Sequence, residues 1–180
     1  MKNIGCFFIL LALFSCTGNK LEKQLKKFIG TEIHFPDNLQ AYIQGRDTLM
    51  HLSHIPMKMV VWYDSIGCAS CRIQQMYDWN EIIQYASEIS DFFEPIFIFS
   101  PKIIDLYNVN IYLRMADFEY PVYIDNRSFF HEINPDIPSD ERMHTFLLDK
   151  NNKVVLVGSP LHNEPLWELY KELIEIQMKR

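Results

Sequence analysis

The sequence predicts an α/β fold, a central mixed β-sheet flanked by helices with an N-terminal β extension. Three observations predict it. Residues 59–63, 95–99 and 121–124 are compact apolar runs, as expected of strands buried on both faces. Stretches with helical spacing of apolar residues separate these runs, as crossovers between parallel strands require. After the third run, Thr145–Leu148 and Val154–Val157 flank Asp149-Lys150-Asn151-Asn152-Lys153, a pattern for an antiparallel hairpin.

The chain opens on a segment set apart from this domain. Lys2 precedes an apolar stretch, residues 4–14, broken only by Gly5 and too short to span a bilayer. A positive residue followed by such a stretch reads as a signal peptide. Leu13-Phe14-Ser15-Cys16 closes it and has the form of a bacterial lipobox, in which the chain is cut before the cysteine and Cys16 is acylated. An ordinary signal peptide or an uncleaved anchor is the alternative. The expected organisation is a signal peptide over 1–15, lipidated Cys16 with a linker to residue 29, and one domain over 30–180. The expected location is the bacterial cell envelope, lipid-anchored and facing the periplasm or the exterior. Leu21, Leu25 and Phe28 lie among Lys20, Lys23, Lys26 and Lys27, so the linker has helical character. It reads as a solvated segment whose few apolar residues dock on the domain; a helix at the membrane surface is the other reading.

From residue 30 to 55, Pro36-Asp37-Asn38 and Gly45-Arg46-Asp47 are turn signals, and one or two short strands forming a hairpin are expected. Asp64-Ser65-Ile66-Gly67 ends the first apolar run. A helix is predicted from about Cys68, with Ile73, Met76, Trp79, Ile82, Ile83, Ala86 and Ile89 on its buried side. Ser100-Pro101 reads as the start of a second helix running to about Met115, with Ser100 as N-cap. Residues 126–142, with Pro135 and Pro138, read as irregular. A last helix starts near Asn163 and is expected to bury Leu166, Leu169, Tyr170, Leu173 and Ile176.

Composition narrows the function classes. Hydrophobic residues make up 48% of the 180, enough for a packed core. The net charge is −6, and cleavage before Cys16 would remove Lys2 and make it one unit more negative. No basic face is suggested, so no nucleic-acid partner is expected.

Chemistry concentrates in the cysteines. Of four, Cys6 leaves with the signal and Cys16 carries lipid, which leaves Cys68 and Cys71. Outside the cytoplasm such a pair can form a disulfide. Cys68 stands where a buried strand gives way to a helix, and unpaired N–H groups there favour a thiolate. Cys68 is therefore the natural nucleophile and Cys71, one turn on, the resolving thiol. Arg72 adds positive charge. A Cys-x-x-Cys pair is open to three readings: a redox pair, half of a zinc site, or a passive disulfide. The lack of a second pair weighs against zinc. No metal and no cofactor is expected.

Val60-Val61-Trp62-Tyr63, followed by Cys68-Ala69-Ser70-Cys71-Arg72 opening a helix, resembles the active-site segment of thioredoxin-like proteins. Tyr120-Pro121-Val122-Tyr123-Ile124-Asp125 and the stretch from His144 to Val155 resemble the TlpA-type and peroxiredoxin-like branch. The resemblance spans about residues 35–178. It implies a membrane-anchored thiol–disulfide oxidoreductase acting on protein thiols and disulfides, and a monomer is expected. Three positions depart from the pattern. Met143 stands where relatives carry a cis-proline, Gly67 where many carry tryptophan, and Trp62 where a buried acid is usual. Asp64, nearer the pair, is a candidate for handling protons or for a turn. The supporting-site candidates are thus Asp64, Arg72, Met143 and His144. Two further readings stand beside redox exchange. One is a thioredoxin-fold binding module without turnover. The other is Cu(I) handling, because cysteine, Met143 and His144 form a soft ligand set.

Overall fold

The computed structural model describes residues 20–37, 39–48, 54–65, 69–102 and 105–179. In chain order they form α1 (residues 20–28), β1 (Gln40–Ile43), β2 (Arg46–Thr48), β3 (Met57–Tyr63), α2 (Ala69–Gln74), a 3₁₀ turn (Met76–Trp79), α3 (Asn80–Glu88), β4 (Phe93–Phe99), α4 (Leu106–Ala116), β5 (Val122–Ile124), α5 (Phe129–Ile133), a second 3₁₀ turn (Glu141–Met143), β6 (Thr145–Leu148), β7 (Val154–Val157) and α6 (Glu164–Met178).

β3 is an interior strand of the sheet. It pairs in parallel with β4, from Met57 opposite Phe93 to Tyr63 opposite Phe99. On its other side it pairs antiparallel with β6, and β7 follows. β5 adds in parallel to β4, and the β1–β2 hairpin joins antiparallel to β5. The sheet order is β2-β1-β5-β4-β3-β6-β7, a mixed sheet with the expected N-terminal extension at one edge.

The steps β3 to β4 and β4 to β5 run in the same direction, so right-handed crossovers put both connections on one face. Met57, Met59 and Val61 of β3 pack there with Ile73, Val109 and Trp167. Val60 and Trp62 face the other way, toward Phe28 of α1 and Phe130 of α5. Cover on both sides explains the near-continuous apolar sequence of β3. Lys58 is the exception. Its Nζ donates to the Ile55 carbonyl at 2.6 Å and to Asn152 Oδ1 at 3.2 Å, so the ammonium keeps hydrogen-bond partners despite burial. Phe28 is fully buried and meets Phe146 edge-on at 5.2 Å, so the helix before the domain docks on it through one aromatic ring. Among the described residues no helix is long and apolar enough to cross a membrane.

Five expectations are corrected. The helix after β3 is not continuous. Ile73, Met76, Trp79 and Ile82 are all buried at intervals of three, a spacing that drifts by roughly 60° per step on an α-helix but stays aligned on a 3₁₀-helix. The Gln75 N–H is shared between the Cys71 and Arg72 carbonyls, at 3.3 and 3.1 Å, which tightens the chain into the 3₁₀ turn.

Ser100 is not an N-cap, since α4 begins only at Leu106. Its hydroxyl donates to Asp125 Oδ2 and accepts from Trp62 Nε1–H; neighbouring strands have claimed it.

The irregular stretch 126–142 contains α5 and a 3₁₀ turn. Asp125 accepts from Phe129 N and Phe130 N at one end of α5, and Asn134 donates to the Phe130 carbonyl at the other.

The buried stripe of α6 is Trp167, Tyr170 and Ile174, while Leu169 and Ile176 are each 40% exposed. Inserting the two large rings removes more apolar area from water, and the Tyr170 hydroxyl donates to the Gly158 carbonyl at 2.8 Å, which holds that rotation.

The β1–β2 turn sits at Gln44-Gly45, both at positive φ, as a two-residue hairpin requires. This lies one residue before the expected signal, with Arg46 and Asp47 already in β2.

Candidate functional site

The strands end together on one side of the sheet. β3 finishes at Tyr63, β4 at Phe99 and β5 at Ile124, and β6 begins at Thr145. A cavity of about 240 Å³ opens there, with Tyr63, Asp64, Arg72, Trp79, Glu141 and His144 in its wall. A second cavity of about 130 Å³ lies against Trp62, Asp64, Ser100, His131 and His144. Asp64 and His144 belong to both.

Cys71 lies in α2, exposed and disulfide-bonded. Cys68, Gly67, Cys16 and the signal segment lie outside the described residues. Arg72, the next residue, reaches across the cavity mouth and donates from Nη2 to Glu141 Oε2 at 2.7 Å. Its guanidinium lies 5.9 Å from the centre of the Tyr63 ring. The Tyr63 hydroxyl accepts from Trp79 Nε1–H at 3.0 Å, and burial pushes its pKa up to about 12. The phenol is therefore a neutral wall of the site rather than a proton donor at ordinary pH.

His144 follows the 3₁₀ turn that Asp140 caps. Asp140 accepts from Arg142 N at 3.1 Å and holds the Arg142 guanidinium through both carboxylate oxygens, at 2.9 and 2.6 Å. That contact pulls the Asp140 carboxyl down to about 2. His144 is 4% exposed. Its ring lies 4.3 Å from the Trp62 ring, and His131 stacks on the same indole at 5.4 Å. His144 Nε2 sits 2.9 Å from the Pro138 carbonyl oxygen, and Nδ1 lies 3.9 Å from Asp64 Oδ2. Burial lowers the His144 pKa, with the Pro138 carbonyl, Asp64 and Glu141 opposing that shift.

Asp64, Arg72 and His144 therefore meet at one cavity. Met143 does not join them: it is buried but forms no part of the cavity wall. Among the described residues no three His, Cys, Asp or Glu side chains converge as metal ligands do. The chain Trp62–Ser100–Asp125 and the His131 ring were not anticipated. Ser100 follows an apolar strand and Asp125 follows another, a signal that polar side chains gather where the strands end. Glu141 carried no signal beyond its charge.

No family model matches the sequence, and no curated protein does. Solved structures do. A thioredoxin-like protein determined in solution in its oxidised form superposes with a TM-score of 0.52 at 9% identity, covering 83% of this chain and 97% of that one. AhpC of Enterococcus faecalis gives 0.52 at 13% identity, over 84% and 93%. A provisionally assigned thiol:disulfide interchange protein DsbE from Chlorobium tepidum gives 0.52 at 16%, over 81% and 97%. Together with the strand order and the two-faced packing, these likenesses establish that the chain has a thioredoxin-like fold.

Proposed function

We propose that this protein is a thiol–disulfide oxidoreductase of the TlpA type, acting on protein disulfides through Cys68 and Cys71. In this reading it is held in the cell envelope by the acyl group on Cys16. One observation carries the proposal: Cys71 is both disulfide-bonded and exposed, in the helix that follows β3. Cys68, three residues earlier in the sequence, is its proposed partner. A passive structural disulfide gains nothing from exposure, whereas an exchange catalyst needs a client to reach its sulfur.

Cys68 attacks the client disulfide, and Cys71 then displaces the client by bonding to Cys68. The backbone N–H groups at the start of α2 favour the Cys68 thiolate. Arg72, although paired with Glu141, adds positive potential at the mouth of the cavity.

The test is the redox equilibrium of the protein in glutathione buffers under metal-free conditions. A reversible two-electron transition between roughly −120 and −270 mV is expected. Cys68→Ser should abolish reduction of a model protein disulfide. A pair that stays oxidised below about −300 mV would make it a structural disulfide and the protein a binding module.

A further inference from the structure

We infer that α1 is a docking face for an anionic phospholipid leaflet and that it sets the domain on the bilayer with the cysteine helix on the far side; the inference deepens the reading above and rests on its acyl anchor at Cys16.

α1 covers residues 20–28 and divides into two faces. At about 100° per residue, Leu21, Gln24 and Phe28 share one side. Phe28 is fully buried and the other two are half-buried, so this side lies on the domain. The Ile29 N–H donates to the Leu25 carbonyl at 3.0 Å, which carries the helical geometry one residue further. Leu25 and Ile29, four apart, stand together on the next flank and are 36% and 42% exposed. Lys20, Lys23, Lys26 and Lys27 are exposed on the remaining surface, with Glu22 among them. Exposed aliphatic side chains beside a lysine face are what an interfacial helix offers to lipid headgroups.

Charge selects the partner. Residues 20–28 carry four lysines and one glutamate, a net +3, whereas residues 29–180 carry 12 basic and 22 acidic residues, a net −10. Lys26 pairs with Glu22 and Lys27 with Asp136, each at 2.6 Å, and both lysine side chains stay 74% exposed. An anionic leaflet attracts α1 and repels the acidic remainder, so both charges favour the same orientation.

Chain length brings the two surfaces together. Cys16 precedes Lys20 by four residues, which span at most about 14 Å. An acyl group in the leaflet therefore holds the start of α1 at headgroup level. The sheet then separates the bilayer from the redox site. Phe28 packs with Val60, Trp62 and Phe130 on one face, while Ile73 of the cysteine helix and Val109 of α4 pack on the other. A bilayer against α1 leaves the exposed Cys71 on the aqueous side, where a client reaches it.

The full chain, produced from residues 1–180 in a bacterial host, is reconstituted into vesicles with a bimane fluorophore on Ile29→Cys or on Met115→Cys. Met115 is 76% exposed on α4, on the other face of the sheet. The native disulfide is kept oxidised, so the introduced thiol takes the label. Vesicles are phosphatidylcholine alone, or phosphatidylcholine and phosphatidylglycerol in equal amounts, each with lipid brominated next to the headgroup as quencher. At about 0.1 M salt the Ile29 label should lose at least half its emission in the anionic vesicles, and the Met115 label should keep its own. Each lysine near such a surface contributes about fivefold, so Lys20→Gln with Lys23→Gln, which leaves both ion pairs intact, should weaken the contact about 25-fold and restore the emission. Salt at about 1 M should do the same. Leu25→Cys repeats the measurement if the labelled Ile29→Cys chain does not fold. No quenching at this flank, equal quenching at Met115, or quenching indifferent to phosphatidylglycerol, salt and the two lysines overturns the inference. Mass spectrometry that finds Cys16 without an acyl group, or release of the protein from the vesicles at about 1 M salt, condemns the anchor reading instead.

Discussion

Two connections flank the cavity, and they are built on different physics. Residues 69–92, ahead of β4, are held by apolar insertion: Ile73, Met76, Trp79, Ile82 and Ala86 all enter the core. Residues 125–144, between β5 and β6, put Phe130 and Ile137 inside but are shaped by side-chain hydrogen bonds. Asp125 starts α5 and Asn134 ends it, and Asn134 also pairs with both the N–H and the carbonyl of His34, a hundred residues away. The first connection carries the cysteine helix and the second carries His144 to meet it. A site assembled this way has one half fixed by packing and the other by polar closure, and the two halves should fail differently.

The largest effects should come from removing an aromatic anchor. Phe130 is the only buried residue of α5, so Phe130→Ala should cost about 3–5 kcal/mol in chemical denaturation. Met76→Ala, in the other connection, should cost about 2–5 kcal/mol, with an unchanged m-value. Asp125→Ala separates the two designs. It deletes no core volume of note, yet it leaves Phe129 N, Phe130 N and the Ser100 hydroxyl without their acceptor. A loss of about 3 kcal/mol is expected; a loss below about 1 kcal/mol would mean that packing alone shapes this connection.

A pH dependence follows from His144. Its pKa is lowered in the folded protein, chiefly by burial, so the unfolded chain binds the proton more readily. The stability that the neutral ring contributes is fully present above about pH 6.5 and is lost as pH falls below that value through the lowered folded pKa. The urea midpoint should therefore drop between pH 7 and 5, and less steeply in His144→Gln. The smallest effect should be at the contact between the two connections. Arg72 and Glu141 are 37% and 68% exposed at their side chains, and Arg72→Ala should change stability by less than about 1 kcal/mol in the same titration.

The same contrast explains what was legible. Three strands, the closing hairpin and the N-terminal extension follow from local apolar runs and turn residues, and they were readable at their positions. The break at Gln75 was encoded too, as a three-residue rather than a mixed three-and-four spacing, but short windows do not separate those periods well. α5 was hidden because five residues with one buried side chain carry no period; its ends depend on Asp125 and Asn134 finding partners that the sequence does not place nearby. The α6 stripe was misplaced because two apolar faces adjoin, and only the sheet decides which one it covers. Asp64, Arg72 and His144 were found as candidates from their nearness to the cysteine pair or to the position before β6. Met143 was grouped with them because it stands at the cis-proline position of the resemblance; it is buried in a 3₁₀ turn and is absent from the cavity wall.

The sequence by itself determined the order of the strands, the α/β fold class and the place of the cysteine pair after the apolar run that forms β3. Those depend on hydrophobic periodicity and chain punctuation, which are local. Tertiary structure alone decided that Ser100 joins Trp62 to Asp125, that Arg72 closes on Glu141, and that His144 Nδ1 comes to 3.9 Å from Asp64 Oδ2. Each of these needs a distance between residues far apart in the chain, and hydrogen bonds require that distance to within a few tenths of an ångström.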